Sequence, residues 1–345
     1  MNQAKRSEFP DFLKGIAVIL MIQVHLIENF ALPEIFSTTP GKVSLFLGGA
    51  PAAPVFLAVM GYFLAASNKS MAMFFKRGLL LIGLGLLLNF GRSFHLLIRI
   101  WQGTIELNPW KYLLGVDIFF AAGISIIFIA VFRYVAKAKI SWWVAAMLIV
   151  ALANPLLPVY SGQYEWIKFV QAYFWGYFSW SYFPLFPWLA YPLLGYVFYL
   201  VNQKINLSNF SGKTLAYIII IPAIVLLFHF KYGFKVSGLL HIYYHHNVLF
   251  FAWVVLYLLL WVIALNLFHR RFSNSPIALL LQWTGKNVTV IYVVQWIIIG
   301  NLTTALYQTQ GYVLLVLWFF AVSLLSAGAA LFYEKKLRHI RFFNL

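Results

Sequence analysis

The sequence predicts an all-α, polytopic integral membrane protein of about ten transmembrane helices with both termini in the cytoplasm. Three observations lead there: the composition, the length of the apolar runs, and the places where basic residues interrupt them. The 345 residues are 63% hydrophobic and 10% charged, with a mean hydropathy of +0.85, far from the composition of a soluble domain. Apolar runs recur at about the 20 residues that a helix needs to cross the hydrocarbon core. A formal net charge of +17 would suit a nucleic-acid partner, but the basic residues fall between the apolar runs, which predicts a lipid bilayer and no nucleic acid.

Taken in order, the spans and their flanking cations justify one another. The first span, near 12–31, carries Lys5, Arg6 and Lys14 at its start. Spans near 45–66 and 78–97 enclose Lys69, Lys76 and Arg77, and those near 112–133 and 140–160 enclose Arg133, Lys137 and Lys139. Lys204 and Lys213 separate 184–202 from 214–231, while Arg270, Arg271 and Lys286 lie between 248–268 and 285–303. The last span, near 311–333, precedes Lys335, Lys336, Arg338 and Arg341. These connections hold 18 Lys and Arg residues, against seven on the other side: Lys42, Arg92, Arg99, Lys111, Lys168, Lys231 and Lys235. Cytoplasmic termini follow from that bias.

The stretch "QVHLIENFALPE" has no small-residue cleavage site, so the first segment reads as a retained helix rather than a secretory leader. No connection is long enough for a soluble domain and no internal repeat of the transporter kind is evident, so residues 1–345 read as a single membrane domain. The absence of cysteine excludes disulfides, thiolate metal sites and a cysteine nucleophile.

Ionisable groups within apolar spans are costly and mark function by default. Most of the eight acidic residues fall in connections or tails, and Asp11 falls at the start of the first helix, which leaves Glu28 and Asp117 in or near spans. In "PDFLKGIAVILMIQVH", Lys14 and His25 are eleven residues apart, hence about 20° apart on one helical face with a rise of about 16 Å. Asp11 shares that face. Glu28 and Asn29 follow His25 by three and four residues, within reach of its imidazole. The alternatives are a hydrogen-bonded core histidine and a snorkelling lysine.

Together these residues resemble the first-helix motif of the transmembrane acyltransferase superfamily. Lys14-x10-His25 is similar to the Arg/Lys-x10-His of type-3 acyltransferases. Asp11, Lys14 and Gly15 are similar to the D-x-x-R-G opening of heparan-α-glucosaminide N-acetyltransferase-like proteins, with Lys in place of the commoner Arg. "APVFLAVMGYFLA" (53–65), "YFPLFPWLAYPLLG" (182–195) and "WTGKNVTVIYVVQW" (283–296) resemble further segments of that second branch. One position departs from it: Gln295 stands where relatives often carry histidine.

The resemblance implies transfer of an acyl group, usually acetyl, from cytoplasmic acetyl-CoA (acyl-CoA) to a hydroxyl or amine of an extracytoplasmic glycan or lipid-linked sugar, in the plasma membrane and as a bacterial inner-membrane enzyme. On this reading His25, Glu28 and Asp117 are the catalytic candidates. His25 would act as general base or as a nucleophile holding an acyl-imidazole. Asp11, Lys14, Lys76 and Arg77 are the candidates at the acyl-CoA phosphates, for which membrane topology alone is the competing explanation. Asn29, Arg92, His95 and Trp188 are the candidates at the acceptor. A metal is not expected, and a homo-oligomer is left open.

Asp117 reads as about six residues into its helix, within about 9 Å of the outer end, with pairing to Arg92 as the structural alternative. The connection 161–183 holds eleven aromatic residues, suited to a sugar face or to an interfacial belt. His241 and His245 form an i, i+4 pair with no carboxylate or thiolate nearby, which makes a weak metal signal. Glycines in the spans suit close helix packing, and no phosphate-binding fingerprint accompanies them. The rival functional readings are a transporter or flippase using His25, Glu28 and Asp117 as a path, and a scaffold for polysaccharide assembly.

Overall fold

The structure is a computed structural model that describes residues 8–205 and 211–337. Lys5, Arg6, Arg338, His339 and Arg341 lie outside the described residues. The described residues are mainly helical, without named strands, and two isolated β-bridges, Ala31 with Gln310 and Val116 with Ser181, tie loops together.

The principal helices are α1 (Phe9–Phe30), α2 (Thr39–Gly49), α3 (Ala53–Ala66), α4 (Met71–Arg92), α5 (Phe94–Trp101), α6 (Ile118–Ala136), α7 (Ile140–Ala153), α8 (Ala190–Lys204), α9 (Gly212–Phe228), α10 (Phe230–Gly238), α11 (Val248–Phe272), α12 (Pro276–Lys286), α13 (Val288–Leu306) and α14 (Tyr312–Phe332). Every predicted span meets a helix. Among the described residues eight spans are long and apolar enough to cross a membrane, and α9 with α10, a pair bent by 65°, would add a ninth when counted as one span. The segment predicted at 140–160 is shorter, Ile140–Leu156. There the helix tightens into a 3-10 turn at Asn154–Leu156, with Pro155 in it.

The span predicted to begin near 112 also changes at its start. A single turn, Trp110–Leu113, stands apart from α6, and Asp117 is the N-cap of α6 rather than a residue inside it. Its Oδ1 accepts the Phe119 N–H at 3.0 Å. Aspartate at that place satisfies an otherwise orphaned helical donor.

The described chain divides into two compact units. The first comprises Met1–Val55, Arg92–Ile98 and Leu258–Leu345; the second comprises Phe56–Gly91 and Arg99–Tyr257.

In the first unit α1 is the central helix, packed by α2, α12, α13 and α14. Pro10 pre-sets its first turn and Asp11 lies there too, where the helix dipole favours an acid. The approach of α12 is at backbone distance. A Cβ on Gly15 would lie 1.8 Å from the Leu281 carbonyl oxygen, and one on Gly285 would lie 1.7 Å from that of Asp11. Where lipid supplies no hydrophobic drive between helices, such close packing is a main source of association.

The second unit uses the same device between α3 and α8, where Gly61 faces the Pro192 carbonyl and Gly195 that of Ala58. Beside it, α7 stacks Trp143 on Tyr196 of α8, with ring centroids 3.7 Å apart.

Candidate functional site

The site is built on the upper half of α1. His25 is 9% exposed, and its imidazole meets two rings of α13. Trp296 is 4.1 Å away between centroids at an interplanar angle of 36°, and Tyr292 is 6.3 Å away, edge-on. Arg92, the last residue of α4, places its guanidinium carbon 4.9 Å from the Trp296 ring centroid. The indole thus carries the imidazole and a cation, a favourable use of its negative face. Arg92 is also close enough to act electrostatically on His25, and Gln295 lies beside the imidazole.

The fold holds Arg92 there through its backbone. A Cβ on Gly300 of α13 would meet the Arg92 carbonyl oxygen at 2.4 Å, so glycine permits the approach. One turn on, the His95 N–H donates to Asn301 Oδ1 at 2.8 Å and the His95 Nδ1 lies 3.1 Å from the Asn301 carbonyl oxygen. His95 is therefore a splice between α5 and α13.

Polar atoms that the protein leaves unpartnered gather around His25. Its Nδ1, both amide atoms of Gln295 and the Trp296 Nε1 are buried without a hydrogen-bond partner among the described residues. Buried polar atoms are nearly always paired, so a group of them requires an explanation. The arrangement offers an imidazole, an amide, an indole N–H and a guanidinium: a base and several donors suited to a carbonyl or an oxyanion.

Asn29 was expected to reach the His25 ring; instead its Nδ2 donates to the His25 main-chain oxygen at 2.7 Å. This is an i to i−4 side-chain bond onto a carbonyl inside α1, a local pattern that asparagine makes readily. Glu28, half-buried one turn beyond His25, keeps its place on α1. At the other end of α1, Asp11 is buried and accepts an ion pair from Lys14 Nζ at 2.8 Å. A groove of about 290 Å³ lined by Gln23, Leu26, Ile27, Ser44, Tyr312 and Phe320 borders the side of α1 away from His25, where Gln23 and Ser44 hydrogen-bond to each other.

The remaining predicted residues belong to the second unit. Lys76 and Arg77 are exposed in the first turns of α4. Trp188, expected to present its ring to an acceptor, is fully buried and donates its indole N–H to the Tyr244 carbonyl at 2.8 Å. It packs against Phe183, Tyr191, Tyr243 and His246 as core. Core placement satisfies its one donor while hiding the largest apolar surface.

His246 is also buried there, with Nε2 2.9 Å from the Tyr191 hydroxyl and Nδ1 2.8 Å from the Tyr243 carbonyl oxygen. Burial holds its pKa down to about 4, and burial likewise lowers that of His245. The His241/His245 pair is joined by a bond from the His245 ring to the His241 main chain at 3.0 Å, and no group of three metal-ligating side chains occurs among the described residues.

The sequence reading named Arg92 and His95 on the acceptor side but missed Trp296 as the ring under His25. The signal was present in "WTGKNVTVIYVVQW", where Tyr292, Gln295 and Trp296 are separated by helical spacings.

No curated protein and no solved structure matches the chain. The family described as "Heparan-alpha-glucosaminide N-acetyltransferase, catalytic" matches residues 6–229. That stretch contains the first-helix motif and both segments quoted from 53–65 and 182–195, while Tyr292, Gln295 and Trp296 lie beyond it. With about two thirds of its length matched, from Asp11, Lys14 and His25 onwards, the chain belongs to the heparan-alpha-glucosaminide N-acetyltransferase catalytic family, a family of membrane acetyltransferases.

Proposed function

We propose that the protein transfers an acetyl group from cytoplasmic acetyl-CoA to a hydroxyl or amine of an extracytoplasmic carbohydrate, across a bacterial inner membrane, with His25 as the group that moves the proton or carries the acyl group. The observation that carries the reading is the surroundings of His25: a buried imidazole on an aromatic platform, with a guanidinium and unpartnered donors beside it.

Acyl transfer needs a base at the attacking oxygen or nitrogen and donors where charge develops on the thioester oxygen. The imidazole supplies the first, and the Trp296 indole N–H and the Arg92 guanidinium supply the second. Alternatively the imidazole attacks the thioester itself and releases the acetyl group in a second step. Lys14, held by Asp11, and the exposed Lys76 and Arg77 are proposed phosphate contacts, each to be tested singly. Glu28 and Asp117 are proposed only as contacts to acceptor hydroxyls, Asp117 from its helix-cap position.

The test supplies acetyl-labelled acetyl-CoA and a mixed pool of envelope glycans to purified protein in nanodiscs. Label in a glycan together with free CoA is the expected result. Absence of both, with no CoA binding by calorimetry, contradicts the proposal. A labelled protein that forms without acceptor and vanishes in His25→Ala selects the acyl-imidazole route.

A further inference from the structure

Four histidines of the described chain hold Nδ1 against a main-chain carbonyl: His95 on Asn301 at 3.1 Å, His229 on Val225 at 3.0 Å, His245 on His241 at 3.0 Å and His246 on Tyr243 at 2.8 Å. Two of these are i to i−4 bonds, which His25 could also make in the middle of α1. It does not: its Nδ1 is buried and has no hydrogen-bond partner among the described residues. Gln295 lies beside the imidazole, completely buried, with neither amide atom partnered.

A buried imidazole with a partnerless nitrogen and a buried, partnerless primary amide that interacts with the same side chain are each other's natural complement. The neighbouring Arg92 and Trp296 offer donors only, so neither can accept a proton held on Nδ1. The Gln295 Oε1 can.

We propose that Gln295 is the positioning residue of His25, its Oε1 accepting the Nδ1–H and thereby fixing the tautomer whose Nε2 is bare. The inference rests on the acetyl-transfer reading above. In the general-base form of that reaction, the acceptor oxygen forms a bond to the thioester carbonyl carbon as its proton passes to His25 Nε2. The C–S bond then breaks and the CoA thiolate takes that proton, leaving an acetyl ester, CoA thiol and the original imidazole. Gln295 exchanges no proton at any step. Its part is to keep the ring proton on Nδ1 and the ring plane fixed on Trp296. The opposite amide orientation, with its N–H donating to Nδ1, would put the proton on Nε2 and remove the base.

The tautomer is read directly by nitrogen NMR on the full chain in nanodiscs, labelled with ¹⁵N-histidine, with a His25→Asn sample identifying the resonances. Wild type is expected to show a protonated Nδ1 and a bare Nε2 at His25, and Gln295→Leu a mixture of both tautomers. Gln295→Glu, whose carboxyl oxygen accepts the same bond whether or not it is ionised, is expected to restore the wild-type pattern. In steady state Gln295→Leu should lose about 10- to 100-fold in kcat with the KM for acetyl-CoA within about twofold, a part of what a general base supplies, and Gln295→Glu should recover most of it. Thermal melts establish that each variant is folded. A proton on Nε2 in wild type, or an unchanged pattern in Gln295→Leu, overturns the proposal whatever the activity. The expected tautomer in a wild type that releases no CoA overturns the acetyl-transfer reading instead.

Discussion

His25 lies on the face of Trp296, their ring centroids 4.1 Å apart, and the same indole carries the Arg92 guanidinium at 4.9 Å. One side chain of α13 therefore sets the positions of a buried imidazole from α1 and a cation from the end of α4. Replacing Trp296 by leucine keeps an apolar residue but removes the flat face. It should lower kcat for acetyl transfer by about 10- to 100-fold, as expected when a base of ~10²–10⁴ effect loses its geometry. Trp296→Phe should recover most of that loss. Steady-state kinetics on nanodisc samples check both.

Arg92→Lys retains the charge and gives up the planar stack. A desolvated cation–π contact is worth about 0.5–2 kcal/mol, so the variant should melt a few degrees lower and turn over more slowly. An unchanged melt and unchanged kcat would show that the guanidinium plane has no part.

Much of this was legible in the sequence. Lys14, His25 and Asp11 were placed on one helix by spacing alone, and α1 holds them as one uninterrupted element. Span positions followed from apolar run length. What the sequence does not display is local capping and burial. Asp117 read as intramembrane because hydropathy runs through it, yet a side-chain bond to Phe119 makes it a cap. Asn29 reads as a ring partner because it is four residues from His25, yet its side-chain N–H bonds to the His25 main-chain carbonyl. Trp188 is an acceptor candidate from the 182–195 segment that carries the family resemblance, and only tertiary packing distinguishes a buried indole from a displayed one.

The α1–α12 seam gives a stability prediction independent of function. Gly285→Ala would force a methyl group to 1.7 Å from the Asp11 carbonyl oxygen, so α12 must move. A cost of about 1–3 kcal/mol is expected from overpacking, read as a lowered thermal midpoint. Gly83→Ala on α4, where nothing lies within 4 Å of the added carbon, should be tolerated.

Asp11 and Lys14 form an ion pair with the carboxylate buried and the ammonium partly exposed. Lys14→Ala removes this ion pair from a buried carboxylate and should destabilise the protein by on the order of 1–3 kcal/mol. If Lys14 also meets the phosphates, the KM for acetyl-CoA rises in the same variant. Asp11→Ala/Lys14→Ala should regain part of the stability and none of the affinity.

The second unit should be acid-sensitive. His246, with a pKa near 4 because it is buried, is neutral in the folded protein and has an ordinary value of about 6.5 when unfolded. Between those values the unfolded chain binds the extra proton, so the stabilisation is complete above about pH 6.5 and falls as pH drops towards 4. His245 acts in the same direction. Melting curves from pH 8 to 4 should show this decline, and His246→Gln should flatten it even if its midpoint at neutral pH is lower.

The most direct test of the central claim is the rate of CoA release from acetyl-CoA by wild type and by His25→Ala, both folded in nanodiscs, with the unacetylated form of the glycan that takes the label as acceptor. The account predicts turnover by wild type and a loss of at least about 100-fold in the variant. Equal rates from the two proteins would show that the imidazole at Trp296 takes no part in acetyl transfer.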